Sequence, residues 1–497
     1  MIDLSLIPWF LPLLLYAETH YRFRYFFSYL RKAEPELVAD APHFIEANQP
    51  LPLMILSKDA HRYPCTLQQV HITISQGNRT VHELQLLPSP VSLGEPLWWR
   101  VFTIQVEQLS GWIELDVSLK LTIGRKTKTY RNDNYRTSSH KPLRVYIAHD
   151  PLPRFEGLHW GDCHTHSNLT DDQVEFGAPM EASVQLCKSM GLSFFCVTDH
   201  SYDLDDRIDD YLCNDPELPK WTMLQKMIET INAHEDNVVV IRGEEVSCRN
   251  SRGENVHMLL LGNGRFFPGS GDSAEHWFKT RSELCIAEVL AALRSTDIAV
   301  AAHPHEPTPV LQRLLLGRGG WHSQDYRAER LIGIQFANGA INRGFEDGYR
   351  EWISCLLEGK RMYAFGGNDA HGNFNRFRQI GIPFLLLKEN DVQLFGKMMT
   401  GIYSDSKPSE DVLLRNLRLG RSIISDGPAI NIRLSEDQEN TRIGSVLTGG
   451  SFRIEVTAES NSDFGEIKEL KVLKGCTGGR EEELLSDQQA NRPYSVI

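Results

Sequence analysis

The sequence predicts an α/β chain built around a seven-stranded barrel, with a β-sandwich before it and a small β-domain after it. Three observations carry this expectation. Residues 40 to 150 hold short alternating apolar runs divided by Pro, Gly and Asn clusters. After residue 155, apolar strand-like runs alternate with helical stretches, the pattern of a mostly parallel sheet. Seven such strand candidates can be counted, which suits a closed barrel better than a small open sheet. At 497 residues the chain is also too long for one core, since domains average about 150 residues.

Taken in order, residues 1–35 begin with LSLIPWFLPLLLYA, an apolar run at residues 4–17. It is short of the roughly 18–20 residues a spanning helix needs, and Pro8 and Pro12 would break it. Asp3 precedes the run and Arg22, Arg24, Arg31 and Lys32 follow it, the reverse of a secretory signal. It reads as a docked or interfacial segment, with membrane-surface contact left open. Residues 36–153 carry VHITISQ, HELQLL, WRVFTIQVEQL, WIELDVSLKLTIG and LRVYIAH, spaced as in a β-sandwich. No catalytic constellation is visible there, and the module reads as a packing or substrate-shaping one.

The barrel is expected over residues 154–404. Its strand candidates are GLHWGDCH, LSFFCVTDH, VVVIRGEEVS, NVHMLLLG, DIAVAAHPH, LIGIQFANG and MYAFGGNDAH. Between them lie helical MEASVQLCKSMG, ELCIAEVLAALRS and GYREWISCLLEGK. From 405 to 497, a helix in SEDVLLRNLRLGR leads into SFRIEVTAES and IKELKVLKG, a short β-rich domain.

The net charge of −13 argues against a nucleic-acid partner, since phosphate neutralisation needs a basic face. The nine cysteines are scattered, odd in number and form no CxxC pair. That is the pattern of reduced thiols, so a cytoplasmic location is expected and a zinc–thiolate site is not. Any metal would be held by imidazole and carboxylate.

Those residue types fall where strands stop. His164 and His166 follow the first candidate, His200 ends the second, and Glu244 and Glu245 end the third. His257 lies at the start of the fourth, His303 and His305 end the fifth, and Asp369 and His371 end the seventh. In a parallel barrel the C-terminal strand ends share one mouth, where sites assemble. The HxH spacing works because residues i and i+2 of an extended segment point the same way. Imidazole with carboxylate suits Zn, Mn or Fe. His159 has no place in this scheme.

DCHTHSNLTDD, CVTDHS, RGEEVS, HMLLLG, AAHPH and GGNDAHG resemble successive motifs of the PHP (polymerase and histidinol phosphatase) superfamily of metal-dependent phosphoesterases. The resemblance covers residues 157 to 385. It implies a distorted seven-stranded (β/α) TIM-like barrel with two or three divalent ions. Carried over by motif, His164, His166, Glu245 and Asp369 would hold one ion, and Glu245 would bridge to a second held by His257 and His303. Asp171, His200 and His371 would hold a third. The family pattern has Ser-Asp-Gly where this chain has Thr170-Asp171-Asp172, so Asp171 is preferred to Asp172 on spacing alone, and Glu244 stays open beside Glu245. The helix and DGP segment after the barrel resemble the C-terminal extension of one branch of these hydrolases.

Such ions make hydroxide available at neutral pH, so no Ser or Cys nucleophile is needed. His305, as proton donor to the leaving group, and Asp199, orienting an imidazole beside His200, are the catalytic candidates. Asp162 is a second orienting partner, and Arg249, Arg252, Arg343 and Arg376 are candidates to grip an anion. The expected substrate is a small phosphorylated molecule. A carboxylic ester or carbamate would use the same water, and a non-catalytic scaffold with a vestigial barrel is the other reading. Oligomeric state is not legible.

Overall fold

The computed structural model describes residues 34–134, 138, 140–170, 177–271, 280–308, 313–314, 316–376, 379–382, 385–388, 392–436, 439–449, 452–492 and 494–496. The apolar run at 4–17 and the candidate ligands Asp171 and Asp172 lie outside them. Two sheets come first. Glu36–Asp40, Leu51–Lys58 and Leu97–Ile104 pair antiparallel in one of them. The other is built on the long strands Cys65–Gln76 and Gly111–Ile123. Gly111–Ile123 alternates strictly, with Ile113, Leu115, Val117, Leu119 and Leu121 turned inward, so a single face is buried. These residues share a core with Leu37, Leu53 and Ile55 of the first sheet.

The central sheet corrects the predicted fold class. Its strands are β1 (Leu158–His166), β2 (Phe194–Val197), β3 (Val239–Arg249), β4 (Asn255–Leu261), β5 (Ile298–Ala302), β6 (Leu331–Asn338), β7 (Tyr363–Gly367), β8 (Met399–Tyr403) and β9 (Ser422–Ser425). They lie in the order β7-β6-β5-β4-β3-β2-β1-β8-β9, a nearly closed mixed barrel. Strand makes up 42% and helix 16% of the structure, with six helices among the described residues, so this is not a helix-rich (β/α) TIM-like barrel. The physical reason is pairing direction. β3 and β4 are antiparallel, as are β4 and β5, so no crossover helix is needed between β3 and β4. A tight turn joins them, in which Asn250 Oδ1 accepts from the backbone N–H groups of Arg252 and Glu254, each at 2.9 Å. β8 and β9 also run antiparallel, inserted beside β1.

A side chain links β7 to β8 where the two ends of the sheet approach each other. Buried Thr400 Oγ1 accepts from Gly366 N–H at 2.9 Å and donates to Gly366 C=O at 2.7 Å. Thr400→Val keeps the shape and orphans both backbone groups, so it is expected to cost about 2 kcal/mol, read by urea denaturation. Leu413, Leu414 and Leu417 of the helix Glu410–Arg418 join Ile241, Leu259, Leu261 and Phe365 in the barrel's interior core. That helix is tied to the start of β3 by Arg242, whose Nε and Nη2 donate to the two Glu410 oxygens at 2.8 and 3.0 Å. One end of the barrel is thereby filled with leucine, and polar side chains collect at the other.

Candidate metal centre

A bulge aims the HxH pair. The β1–β2 register slips by one residue between Asp162 and Thr165, so Cys163 joins the interior core while His164, next in sequence, also turns inward. On β3, residues alternate between faces. Val246 and Cys248 pack outside the barrel with Met258 and Leu260, which places Glu244 on that side and Glu245 inside. His257, the third residue of β4, reaches the same mouth because β4 runs the opposite way. His303 and Asp369 follow β5 and β7 with φ of +27° and +52°. A left-handed backbone at non-glycine residues is strained, and such strain collects at functional sites. His371 pairs with His166 across a short parallel bridge, their rings stacked at 4.1 Å and 1°.

The side chains converge on Glu245. Its Oε1 lies 2.8 Å from His257 Nδ1 and 3.1 Å from His303 Nε2. Its Oε2 lies 3.4 Å from both His164 Nε2 and His166 Nε2 and 3.1 Å from His200 Nδ1. Asp369 Oδ1 lies 3.3 Å from His164 Nε2 and 3.2 Å from His166 Nε2. His200 Nε2 faces His371 Nε2 at 3.5 Å. Close as they are, neither Glu245 Oε2 nor His200 Nδ1 has a hydrogen-bond partner among the described residues. Buried polar atoms left this way call for an explanation, and a cation supplies one.

Three sets of donor atoms are close enough to hold a metal ion: His164, Glu245, His303 and Asp369; His200, Glu245 and His257; and His166, His200 and His371. Glu245 and His200 each belong to two sets. The grouping differs from the one implied by family motifs, in that His303 falls with His164 and His166 with His200 and His371. All the donors are imidazole nitrogens or carboxylate oxygens, a set that fits a divalent transition ion.

The electrostatics point the same way. Burial alone would raise Glu245 and Asp369, yet the surrounding imidazoles hold both well below the usual carboxylate range. Burial would lower His166, but the Asp369 and Glu245 carboxylates beside it outweigh burial and push the imidazole up to about 10. His200 is pushed down to about 4 by burial and by the charge on His166. The cage thus keeps ionised carboxylates beside a retained proton, where a metal would compete for the same lone pairs. Glu244 is different. Burial raises it well above the usual range, and its Oε1 accepts from Asn263 Nδ2 at 2.9 Å and Phe267 N at 3.1 Å.

An outer layer fixes the rings. His164 Nδ1 donates to Gln335 Oε1 at 2.8 Å, which leaves Nε2 free to ligate. His166 Nδ1 lies 3.4 Å from Thr170 Oγ1, which donates to Asp199 at 2.9 Å. Asp199 also accepts from Ser167 N and Oγ, so it holds the loop after β1 and orients His166 through Thr170 rather than touching the donors. Asp162 accepts from His164 N, Asn368 Nδ2 and Gly396 N, and Gln393 Nε2 donates to Asp369 Oδ2 at 3.0 Å.

Other candidates fall elsewhere. The turn at His303 carries His305 away, and its Nε2 lies 3.3 Å from Tyr326 Oη, outside the three donor sets. Arg376 is buried among Asp40, Asp133 and backbone carbonyls at the junction with the sandwich. Arg343 is 90% exposed, and Arg249 pairs with Glu288 at 3.5 Å. Arg252 is exposed on the turn after β3. Among the described residues, Arg318 does reach the centre, its Nη2 lying 3.3 Å from His257 Nδ1. It carries no motif, and only the pairing of its loop with Asn255 reveals it.

No protein-family model and no curated protein matches the chain. No helix among the described residues is long and apolar enough to cross a membrane.

Proposed function

We propose that the chain is a metal-dependent hydrolase of the PHP kind that cleaves small phosphoesters with an activated water. The observation that carries this reading is the linkage of three donor sets through Glu245 and His200, supported by the six sequence motifs. Two or three Zn, Mn or Fe ions would supply water of lowered pKa and stabilise charge on the substrate oxygen. The chain's own part is to hold the ligands still. Gln335 and the Thr170–Asp199 pair fix the two imidazoles of the HxH strand, and the strained turns at His303 and Asp369 set the opposite wall. The mouth opens into a cavity of about 250 Å³ lined by His257, His303, Asp369, Glu306, Arg318 and Gln393.

Metal analysis of the purified protein, paired with phosphate-ester and carboxylic-ester substrates, tests the proposal. More than one equivalent of transition metal and turnover of a phosphate ester are expected. Less than one equivalent, and no turnover with Mn or Zn added, would overturn it. Cleavage of carboxylic esters or carbamates alone would move the chemistry to those substrates.

A further inference from the structure

We infer that the cavity where the sandwich, the barrel and the C-terminal unit meet is a second ligand site, which takes a small apolar molecule carrying a quaternary ammonium. The inference is independent of the hydrolase reading. The cavity has a volume of about 610 Å³, and none of its lining residues belongs to the donor sets or to the mouth above them. Leu152, Met190, Leu192 and Met399 line it together with four aromatic rings. Two of the lining side chains, Trp112 and Ile341, are 53% and 64% exposed. Large apolar side chains left open to water inside a concavity mark a place where a ligand would cover them. The rings stand in a row because strand register puts them there. Phe44 of the strand Phe44–Ile45 lies opposite Tyr146 of the strand Leu143–Ile147, and Tyr146 lies opposite Trp112 of Gly111–Ile123. Directly paired residues share a sheet face, so the three side chains form one platform. The Phe44 and Tyr146 ring centroids are 6.2 Å apart and 16° from parallel, and Trp112 meets Tyr146 edge-on at 5.2 Å. Phe464 of the C-terminal unit comes within 5.9 Å of Phe44. Its turn is pinned to the end of the sandwich by Asn461 Nδ2, which donates to Pro151 C=O at 2.8 Å.

Charge selects the ligand. Aromatic faces attract cations, and Arg144, which does not line the cavity, already sits 4.8 Å from the Trp112 ring centroid. Asp463 lines the cavity with a side chain that is 1% exposed. Burial alone would raise its carboxyl, but the backbone N–H groups of Asp150 and His149 hold it below the usual range, so it stays ionised. Tyr146 Oη donates to this carboxylate at 3.0 Å, a contact that polarises the phenol toward a more negative ring. Asp426 adds an exposed carboxylate to the lining, and Lys397, also there, has a partner of its own. The kind of cation follows from the acceptors. Both Asp463 oxygens are in use, accepting from Tyr146 Oη at 3.0 Å, His149 Nδ1 at 2.9 Å, His149 N at 3.1 Å and Asp150 N at 3.0 Å. A primary ammonium would find its N–H groups short of partners beside them. A quaternary ammonium has no N–H to satisfy and needs only the ring faces and the field of the carboxylate. With water occupying about 30 Å³ in the liquid, the cavity holds the equivalent of roughly twenty waters. That is room for a trimethylammonium group and an aryl or short alkyl body.

The test is calorimetric titration of the full chain with three probes that share one aryl body: benzyltrimethylammonium, benzylamine and benzyl alcohol. Benzyltrimethylammonium is expected to bind about tenfold more tightly than benzyl alcohol, and more tightly than benzylamine. Trp112→Ala should weaken it roughly fivefold by removing one end of the ring platform. Ile341→Lys should abolish binding, because it sets an ammonium into the same space. Both side chains are largely exposed, so both variants keep the fold. Equal affinity for benzyl alcohol and benzyltrimethylammonium would reduce the site to an apolar cleft and overturns the proposal. Tighter binding of benzylamine overturns the choice of a quaternary ammonium. Unchanged affinity in either variant places the binding elsewhere and overturns the site, as does a lack of binding by benzyltrimethylammonium at millimolar concentration.

Discussion

Glu245→Gln is expected to empty the centre of metal and to lower turnover by about three powers of ten, while the chain stays folded. The carboxylate lies within 3.4 Å of five imidazoles and belongs to two of the three donor sets. Among the described residues no other carboxylate lies as close to as many imidazoles. Glutamine preserves the volume but presents an amide N–H₂ to nitrogens that must offer lone pairs, and it removes the charge that offsets two cations. Metal ions contribute several kcal/mol to stabilising a charged transition state, and each 1.36 kcal/mol is about tenfold in rate. The control is the adjacent residue. Glu244 points to the other face of the same strand, where burial raises its carboxyl well above the usual range, so Glu244→Gln should keep near-wild-type metal content and rate. Elemental analysis with circular dichroism on both variants decides the matter. Full metal content in Glu245→Gln, or loss of metal in Glu244→Gln, would mean that the face assignment of β3 is wrong.

That face was not legible in the sequence. Residues 243–248 are buried throughout, so hydrophobic alternation cannot tell one side of β3 from the other, and a GEE tripeptide offers two equal glutamates. The strand runs themselves were legible, because each is short, apolar and ends at a polar cluster. Their direction was not. A hydrophobic run reads the same either way, and helical-looking stretches between runs suggested crossovers throughout. One clue was present: His257 opens its run where the other candidates close theirs, as a ligand on a reversed strand must. β8 and β9 carried no chemistry, and MTGIY and SIIS gave no sign that they would close the barrel. His305 lies apart from the donor sets for a different reason. The argument that i and i+2 share a face holds for His164 and His166, which lie on extended backbone. It does not hold across His303, where a φ of +27° breaks the extension and sends His305 to Tyr326. Arg318 could not be found from sequence at all, because its loop is docked by hydrogen bonds to Asn255, distant in the chain.

Arg376→Met should cost about 3–5 kcal/mol of stability without altering the donor sets, the usual penalty for stranding buried charge. The guanidinium, which sequence suggested as an anion grip, is a structural clamp. Its Nε donates to Ala39 C=O at 3.0 Å and its Nη1 to Lys141 C=O at 2.6 Å, and Nη1 lies 3.7 Å from Asp133 Oδ2. Asp40 takes the backbone from the other side, its oxygens accepting from Phe374 N at 2.8 Å and Arg376 N at 3.1 Å. Asp40 and Asp133 belong to the sandwich and residues 374–376 to the barrel, so the cluster fixes one body to the other. Burial pushes the Asp40 carboxyl up to about 7, and the Arg376 charge restrains that rise. A carboxyl raised above its unfolded value of 3.8 binds a proton on folding, so its contribution is full below that value and is lost as pH rises through about 7. Without Arg376 the folded pKa climbs further, and the variant's deficit should be larger at about pH 8 than at about pH 6. Urea denaturation of wild type, Arg376→Met and Arg376→Met/Asp40→Asn at both values checks this. The double variant should recover stability at the higher pH, since asparagine removes the stranded charge. An equal deficit at both pH values, with no recovery, would show that Arg376 acts through its carbonyl contacts alone.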